Sequence, residues 1–288
     1  MSGFADRFEY IHPTFDLKAG EMPEQLRNGL WDAICLTFFE KIAKYDICGT
    51  QAHFTDQFLE ITSLIWFIFF RRPIDTRNVD AKLVVKEVRH FFFNAKFFEI
   101  YNFVEFLARS DVDYFNSNGG GEQFAAFCNK VLARERAAFR FAGTTLVMIT
   151  DENERRAVAD AMSKDVPSAI RTHINRAAEL YSDHLKPDYR NSIKESISAV
   201  EASVAFATDA EKVHGVAPNL RKAMDRFSLH PALIQGFEKL YAYTSDENGI
   251  RHAIMNDRTV TQAEAKYFLV SCSAFSNYLV ALKSTHKL

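Results

Sequence analysis

An arginine and a histidine stand side by side in Gly249-Ile250-Arg251-His252, two side chains that can act together on a phosphate. An imidazole moves a proton near neutral pH, and a guanidinium holds negative charge developing on oxygen. Neighbours on a helix point about 100° apart, so Arg251 and His252 share one anion only where the backbone is irregular, which Gly249 permits. The same two residue types recur in Arg7 to His12, but that stretch runs into Pro13 in an expected coil and is read as accidental. His173, His184, His214 and His230 show no metal-ligand spacing, so no metal and no cofactor is expected. The loop Asn116 to Gly121 ends in three glycines, yet no Lys-Ser/Thr follows and no strand precedes it, so it reads as a plain loop and not a phosphate cradle.

Further polar residues fall on helical spacings. Asn191, Glu195 and Ser198 lie at i, i+4 and i+7 of a segment whose other side is Ile193, Ile197, Val200 and Val204. Ser273 and Asn277 repeat the i, i+4 spacing near the C-terminus. These residues either complete a site with His252 or do ordinary structural work: Asn191 near a helix cap, Glu195 in an ion pair, the stripe as a solvated face.

The elements that must position them read as helices almost throughout. Apolar residues at Leu26, Leu30, Ile34, Phe38 and Ile42 give one stripe over Glu24 to Lys44, after Pro23. Gln51 to Phe70 predicts a helix ended by Pro73, with Ile61 to Phe70 buried; Asp80 to Phe93, Lys96 to Leu107 and Glu122 to Arg136 follow. Residues 138–149, broken at Ala142-Gly143-Thr144, predict a small hairpin, the sole strand signal. Asp151 caps the next helix, with Glu154 placed for a capping box. Beyond Ser163-Lys164-Asp165-Val166-Pro167, helices over Pro167 to Leu185, Tyr189 to Ala207, Asn219 to Phe227, Pro231 to Tyr243 and Thr261 to Ser284 predict a bundle. The expected fold is mainly α, with an N-terminal domain over 1–163 and a helical bundle over 164–288.

Bulk composition narrows the function classes. Lys+Arg 35 against Asp+Glu 37 excludes a globally basic nucleic-acid binder, so any RNA contact is local and no DNA is indicated. The 27 phenylalanines crowd the first half of the chain and read mainly as core. Cys35, Cys48, Cys128 and Cys272 are far apart with no Cys-x-x-Cys, which fits reduced thiols in a cytoplasmic protein. Ile61 to Phe70 is about half the roughly 20 residues a bilayer crossing needs, and Met1 to Asp16 lacks an apolar signal core, so neither secretion nor a membrane partner is expected.

Five segments carry a family resemblance. Asp188 to Glu201, Tyr241 to Ala253 and Ala274 to Leu279 resemble the C-terminal HEPN-type domain of AbiJ-like abortive-infection proteins; Phe4 to Tyr10 and Leu26 to Trp31 resemble the N-terminal domain of that group. The resemblance implies an anti-phage defence toxin, a homodimer formed through the C-terminal bundle, and metal-independent RNA cleavage. It makes His252 and Arg251 the catalytic candidates and Asn191, Glu195, Ser198 and Asn277 the substrate-binding ones. HEPN nucleases generally place an Arg before the His with four to six residues between, which falls on Glu247, Asp246 or Ser245, none of them basic. That departure supports the alternative, a non-catalytic dimerisation module that binds nucleotide, RNA or protein.

Overall fold

The structure, a computed structural model, describes residues 20–39, 44–45, 52–53, 56–110, 120–183, 186–210, 216–245 and 260–285. It is mainly α-helical. Two compact units, Met1–Thr144 and Thr145–Leu288, divide at the turn of a two-stranded sheet made by Arg140–Ala142 and Thr145–Val147. Gly143, at φ 57°, takes the left-handed conformation that this tight turn requires and that only glycine adopts cheaply.

In the N-terminal unit, α1 (Glu24–Ile34) starts at Pro23 and continues into a wider π turn, Cys35–Phe39. Residues Lys44–Tyr45 (β1) then pair antiparallel with Ala52–His53 (β2), which corrects two expectations. The sheet at 140–147 is not the only one, and the helix expected from Gln51 begins at Asp56, because residues 52 and 53 are pairing with a strand. Helix α2 (Asp56–Leu64) also ends in a π turn, Ile65–Phe69, where the Phe70 amide donates five residues back to the Ile65 carbonyl at 2.8 Å. Ile74–Thr76 forms one 3₁₀ turn before α3 (Ala81–Asn94), which the Asp80 carboxylate caps by accepting from the Lys82 amide. Helices α4 (Phe97–Arg109) and α5 (Gly120–Arg134) and strand β3 (Arg140–Ala142) complete the unit.

Its interior is aromatic. Phe58, Trp66, Phe92, Phe103, Phe124 and Phe141 are fully buried, and Phe69 lies with its ring centroid 4.9 Å from Phe103 and 5.6 Å from Phe91. Tilted and edge-on pairs of this kind add about 0.5–1.5 kcal/mol each beyond the area they bury. The core reading of the phenylalanines therefore holds for these, but not for Phe67, which is 72% exposed. Six apolar residues in succession, Ile65 to Phe70, cannot share one helical face, so Phe67 and Ile68 face outward although a buried helix was expected. Arg27 lies across the C-terminal end of α3, its Nη1 donating to the carbonyls of Phe92, Phe93 and Ala95 at 3.1, 2.8 and 3.1 Å. Those are the carbonyls a helix end leaves without partners.

The loop expected to end at Gly121 gives way sooner, since Gly120 and Gly121 form the first turn of α5. A Cβ on Gly121 would stand 2.3 Å from the Ala108 carbonyl oxygen, so glycine lets α5 pass close against the end of α4.

The C-terminal unit begins with β4 (Thr145–Val147) and α6 (Glu152–Ala161). Asp151 caps α6, accepting from the amides of Asn153 and Glu154. The return half of the expected capping box is replaced: Lys266 Nζ stands 2.6 Å from Glu154 Oε2, an ion pair whose angles do not make a hydrogen bond. Helices α7 (Ser168–Ser182), α8 (Tyr189–Thr208), α9 (Val216–Phe227), α10 (Pro231–Ser245) and α11 (Gln262–Thr285) follow. Helix α8 is the centre, packing on α7, α11 and α9, while α11 also covers α6 and α7. Ser192, Ser196 and Ser203 of α8 are buried yet satisfied, Ser192 donating across to the Ala177 carbonyl of α7 at 2.8 Å and the other two to carbonyls one turn back in α8. Cys128 and Cys272 are buried free thiols whose pKa values burial pushes up; Cys35 is a half-buried free thiol.

Candidate functional site

Helix α8 carries three of the candidate side chains. The Asp188 carboxylate caps it, accepting from the Asn191 amide at 3.0 Å and from Asn191 Nδ2 at 2.7 Å. Burial alone would raise the Asp188 carboxyl, but those two bonds, with Lys186 and Arg190 nearby, hold it below its ordinary value. Asn191 is thus part of the helix cap, with its amide nitrogen engaged.

One turn on, Glu195 meets a residue that sequence spacing did not single out. His173 of α7 places Nδ1 2.7 Å from Glu195 Oε2. The side chains are 37% and 27% exposed, so the pair sits at the edge of the α7–α8 interface within reach of water. A carboxylate at Nδ1 fixes which imidazole nitrogen faces outward, the arrangement by which a histidine is oriented for proton transfer. Glu195 was expected to form an ion pair or to complete a site with His252; its partner among the described residues is His173. Ser198, half-buried one turn further, makes no side-chain hydrogen bond among the described residues.

Asn277 of α11 does not join this row. Its Nδ2 donates to the Ala157 carbonyl of α6 at 2.9 Å, tying α11 to α6. Ser273, its expected i, i+4 companion, is fully buried with Oγ unpartnered among the described residues, as is Ser276. The structure thus joins Asn191 to Asp188, Glu195 to His173 and Asn277 to α6, and does not gather the candidates into one cluster. His252 and Arg251, like the Arg7 to His12 stretch, lie outside the described residues. Among the described residues no group of three His, Cys, Asp or Glu side chains could hold a metal ion, and no described helix is long and apolar enough to cross a membrane.

What these features define is a helical protein with an aromatic N-terminal unit and a C-terminal bundle built around α8. Residues 2–164 match the model of the AbiJ N-terminal domain 4 family, more than half of the chain, and the protein belongs to that family. No curated protein and no solved structure matches it.

Proposed function

We propose that the protein acts in abortive infection and that its C-terminal unit is a HEPN-type endoribonuclease. The observation that carries this reading is the AbiJ N-terminal domain match over residues 2–164, joined in one chain to the HEPN-like segments from Asp188 to Leu279. In this reading the protein is a cytoplasmic homodimer formed through the C-terminal bundle, and RNA is its substrate. His252 acts as general acid or base while a ribose 2′-hydroxyl loses its proton and its oxygen attacks the adjacent phosphate. The P–O5′ bond breaks, the 5′-oxygen leaves with a proton, the phosphate closes into a 2′,3′-cyclic ester, and Arg251 steadies the charge that accumulates on it. Neither metal nor cofactor takes part in that step, and Glu195 with Asn191 shapes the site. The test is expression in a host challenged with phage, with cleavage of total RNA by purified protein in EDTA alongside. Growth arrest and RNA cleavage are expected, and both should vanish in His252→Ala. Intact RNA, with phage protection that His252→Ala retains, would overturn the reading.

A second reading is favoured by a specific observation: three of the four expected substrate-binding side chains have structural partners, Asn191 with Asp188, Glu195 with His173 and Asn277 with Ala157. Together with the lack of a basic residue at 245 to 247, this supports a non-catalytic bundle that dimerises and binds a nucleotide, RNA or protein. Phage protection without RNA cleavage, unaffected by His252→Ala, would select it.

A further inference from the structure

The least expected surface in the N-terminal unit lies where α2 hands over to α3. Phe67 is 72% exposed, Ile68 50%, Ile74 47%, Val79 88% and Leu83 45%, five large apolar side chains within 17 residues of sequence. Several large apolar side chains exposed in one short segment are the informative departure from ordinary packing, because single exposed apolar residues are common and groups of them mark contact sites. The segment folds back on itself. Arg77 turns inward, its Nη1 donating to the Leu59 carbonyl at 3.0 Å and to Thr62 and Ser63 hydroxyls at 2.8 and 2.9 Å, which pins the 3₁₀ turn onto α2. Arg72 reaches Glu87 of α3 at 2.6 Å and ties the turn to that helix.

The same stretch of sequence is cationic in a protein that is not, even with Arg77 turned inward. Residues 65–96 hold seven Lys or Arg and three Asp or Glu, a net of +4 within a chain of −2. Two of those three acids are already engaged, Asp80 at the α3 cap and Glu87 with Arg72. Lys82, Lys86 and Arg89 follow one exposed face of α3 at i, i+4 and i+7, and Arg71, also exposed, precedes Pro73. Arg71 and Lys86 make no ion pair among the described residues.

We propose that this turn and the exposed face of α3 form a peripheral contact surface for an anionic phospholipid bilayer. The apolar side chains enter the headgroup boundary while the surrounding cations meet lipid phosphates. Charge selects the occupant's sign, and the aliphatic side chains select its kind. Single-stranded RNA would use Phe67 for stacking and the cations for phosphate, but it leaves Ile68, Ile74, Val79 and Leu83 in water. This reading departs from the sequence expectation of no membrane partner, and it needs no spanning helix.

The test is co-sedimentation of the full chain with vesicles of phosphatidylcholine alone or of phosphatidylcholine and phosphatidylglycerol in equal parts, with labelled single-stranded RNA titrated in parallel. The wild type should pellet with the anionic vesicles only, and less so at high salt. Replacing Phe67→Ser and Ile68→Ser together should weaken binding about tenfold or more, and Arg71→Glu with Lys86→Glu by a similar factor. All four side chains are exposed, and unchanged thermal melts check that these variants still fold. Wild type that stays in solution with both compositions overturns the proposal, as do variants that pellet like wild type. RNA binding lost in the charge variants, without vesicle binding, assigns the surface to nucleic acid instead and equally overturns it.

Discussion

His173 of α7 and Glu195 of α8 are joined at 2.7 Å, and their pairing follows from how the two helices run past each other. The Leu180 carbonyl accepts from the Asp188 amide, the Ala177 carbonyl accepts from the Ser192 hydroxyl, and His173 pairs with Glu195. Each pair is symmetric about position 184 to within one residue, the register of an antiparallel helical hairpin.

Because both side chains remain partly exposed, the pair should contribute little to stability. A double-mutant cycle with His173→Ala and Glu195→Ala, read by urea unfolding, should give a coupling of about 0.5–1 kcal/mol or less. If the pair also serves RNA chemistry, either single substitution should lower cleavage by the same factor, and combining them should add nothing. Additive losses of activity would show that the two residues act separately.

At the start of α8 the cap is expected to rest on Asp188 more than on Asn191. Asp188 accepts from the Asn191 amide, a bond that Asn191→Ala leaves intact. Asp188→Ala should therefore cost about 1 kcal/mol and Asn191→Ala clearly less, measured by thermal or urea unfolding. An Asn191→Ala variant that folds normally but loses RNA cleavage would give Asn191 a role beyond the cap.

The helical layout was legible because its signals are local. Pro23, Asp80, Asp151 and Pro167 mark helix starts that the structure reproduces, and Pro73 lies just beyond the end of the π turn after α2. The pairing of β1 with β2 was not legible, since two residues per strand carry no alternation. Glu195's partner was missed for a different reason: His173 is 22 residues away, and its place is set by the α7–α8 register and not by any spacing within one helix. Folding the two expected helices about their connection would have found it. Asn277 looked like a site residue because an asparagine at helical spacing has the same appearance whether it meets a ligand or, as here, a carbonyl of α6.

Three glycines should respond differently to alanine. Gly121→Ala sets a Cβ 2.3 Å from a backbone oxygen that cannot step aside, and a destabilisation of about 1–3 kcal/mol is expected. Gly29→Ala meets the Val131 Cγ1 at 2.6 Å, a buried methyl that is stiffly held but is not backbone, so its cost should be somewhat smaller. Gly236 lies exposed within α10, a Cβ added there would meet none of the described residues beyond its own helix within 4 Å, and alanine there should stabilise by about 0.5–1 kcal/mol through helix propensity. Melting temperatures of the three variants check the order, and a Gly121→Ala protein as stable as wild type would contradict the close passage of α4 and α5.

Acid should loosen the C-terminal unit through Asp209. This residue ends α8 in the left-handed conformation, at φ 54°, and accepts from Lys283 and, at 2.7 Å, from Arg226. Hydrogen bonds from Lys283 and then Arg226 hold its carboxyl at about 2, below the ordinary 3.8. A carboxyl depressed on folding contributes stability that is fully present above the unfolded value and is lost as pH falls through the folded one, so the window is pH 3.8 down to 2. Lys283, nearly buried, also donates to the Phe206 carbonyl and lies 4.3 Å from the Phe206 ring, so it joins α11 to the end of α8 with or without the carboxylate. In urea unfolding at successive pH values, Asp209→Asn should flatten the loss of stability across that window while leaving α8 folded at neutral pH. Lys283→Met should flatten it only in part, because Arg226 remains beside the carboxylate. An unchanged acid slope in Asp209→Asn would mean that other carboxyls carry the acid sensitivity.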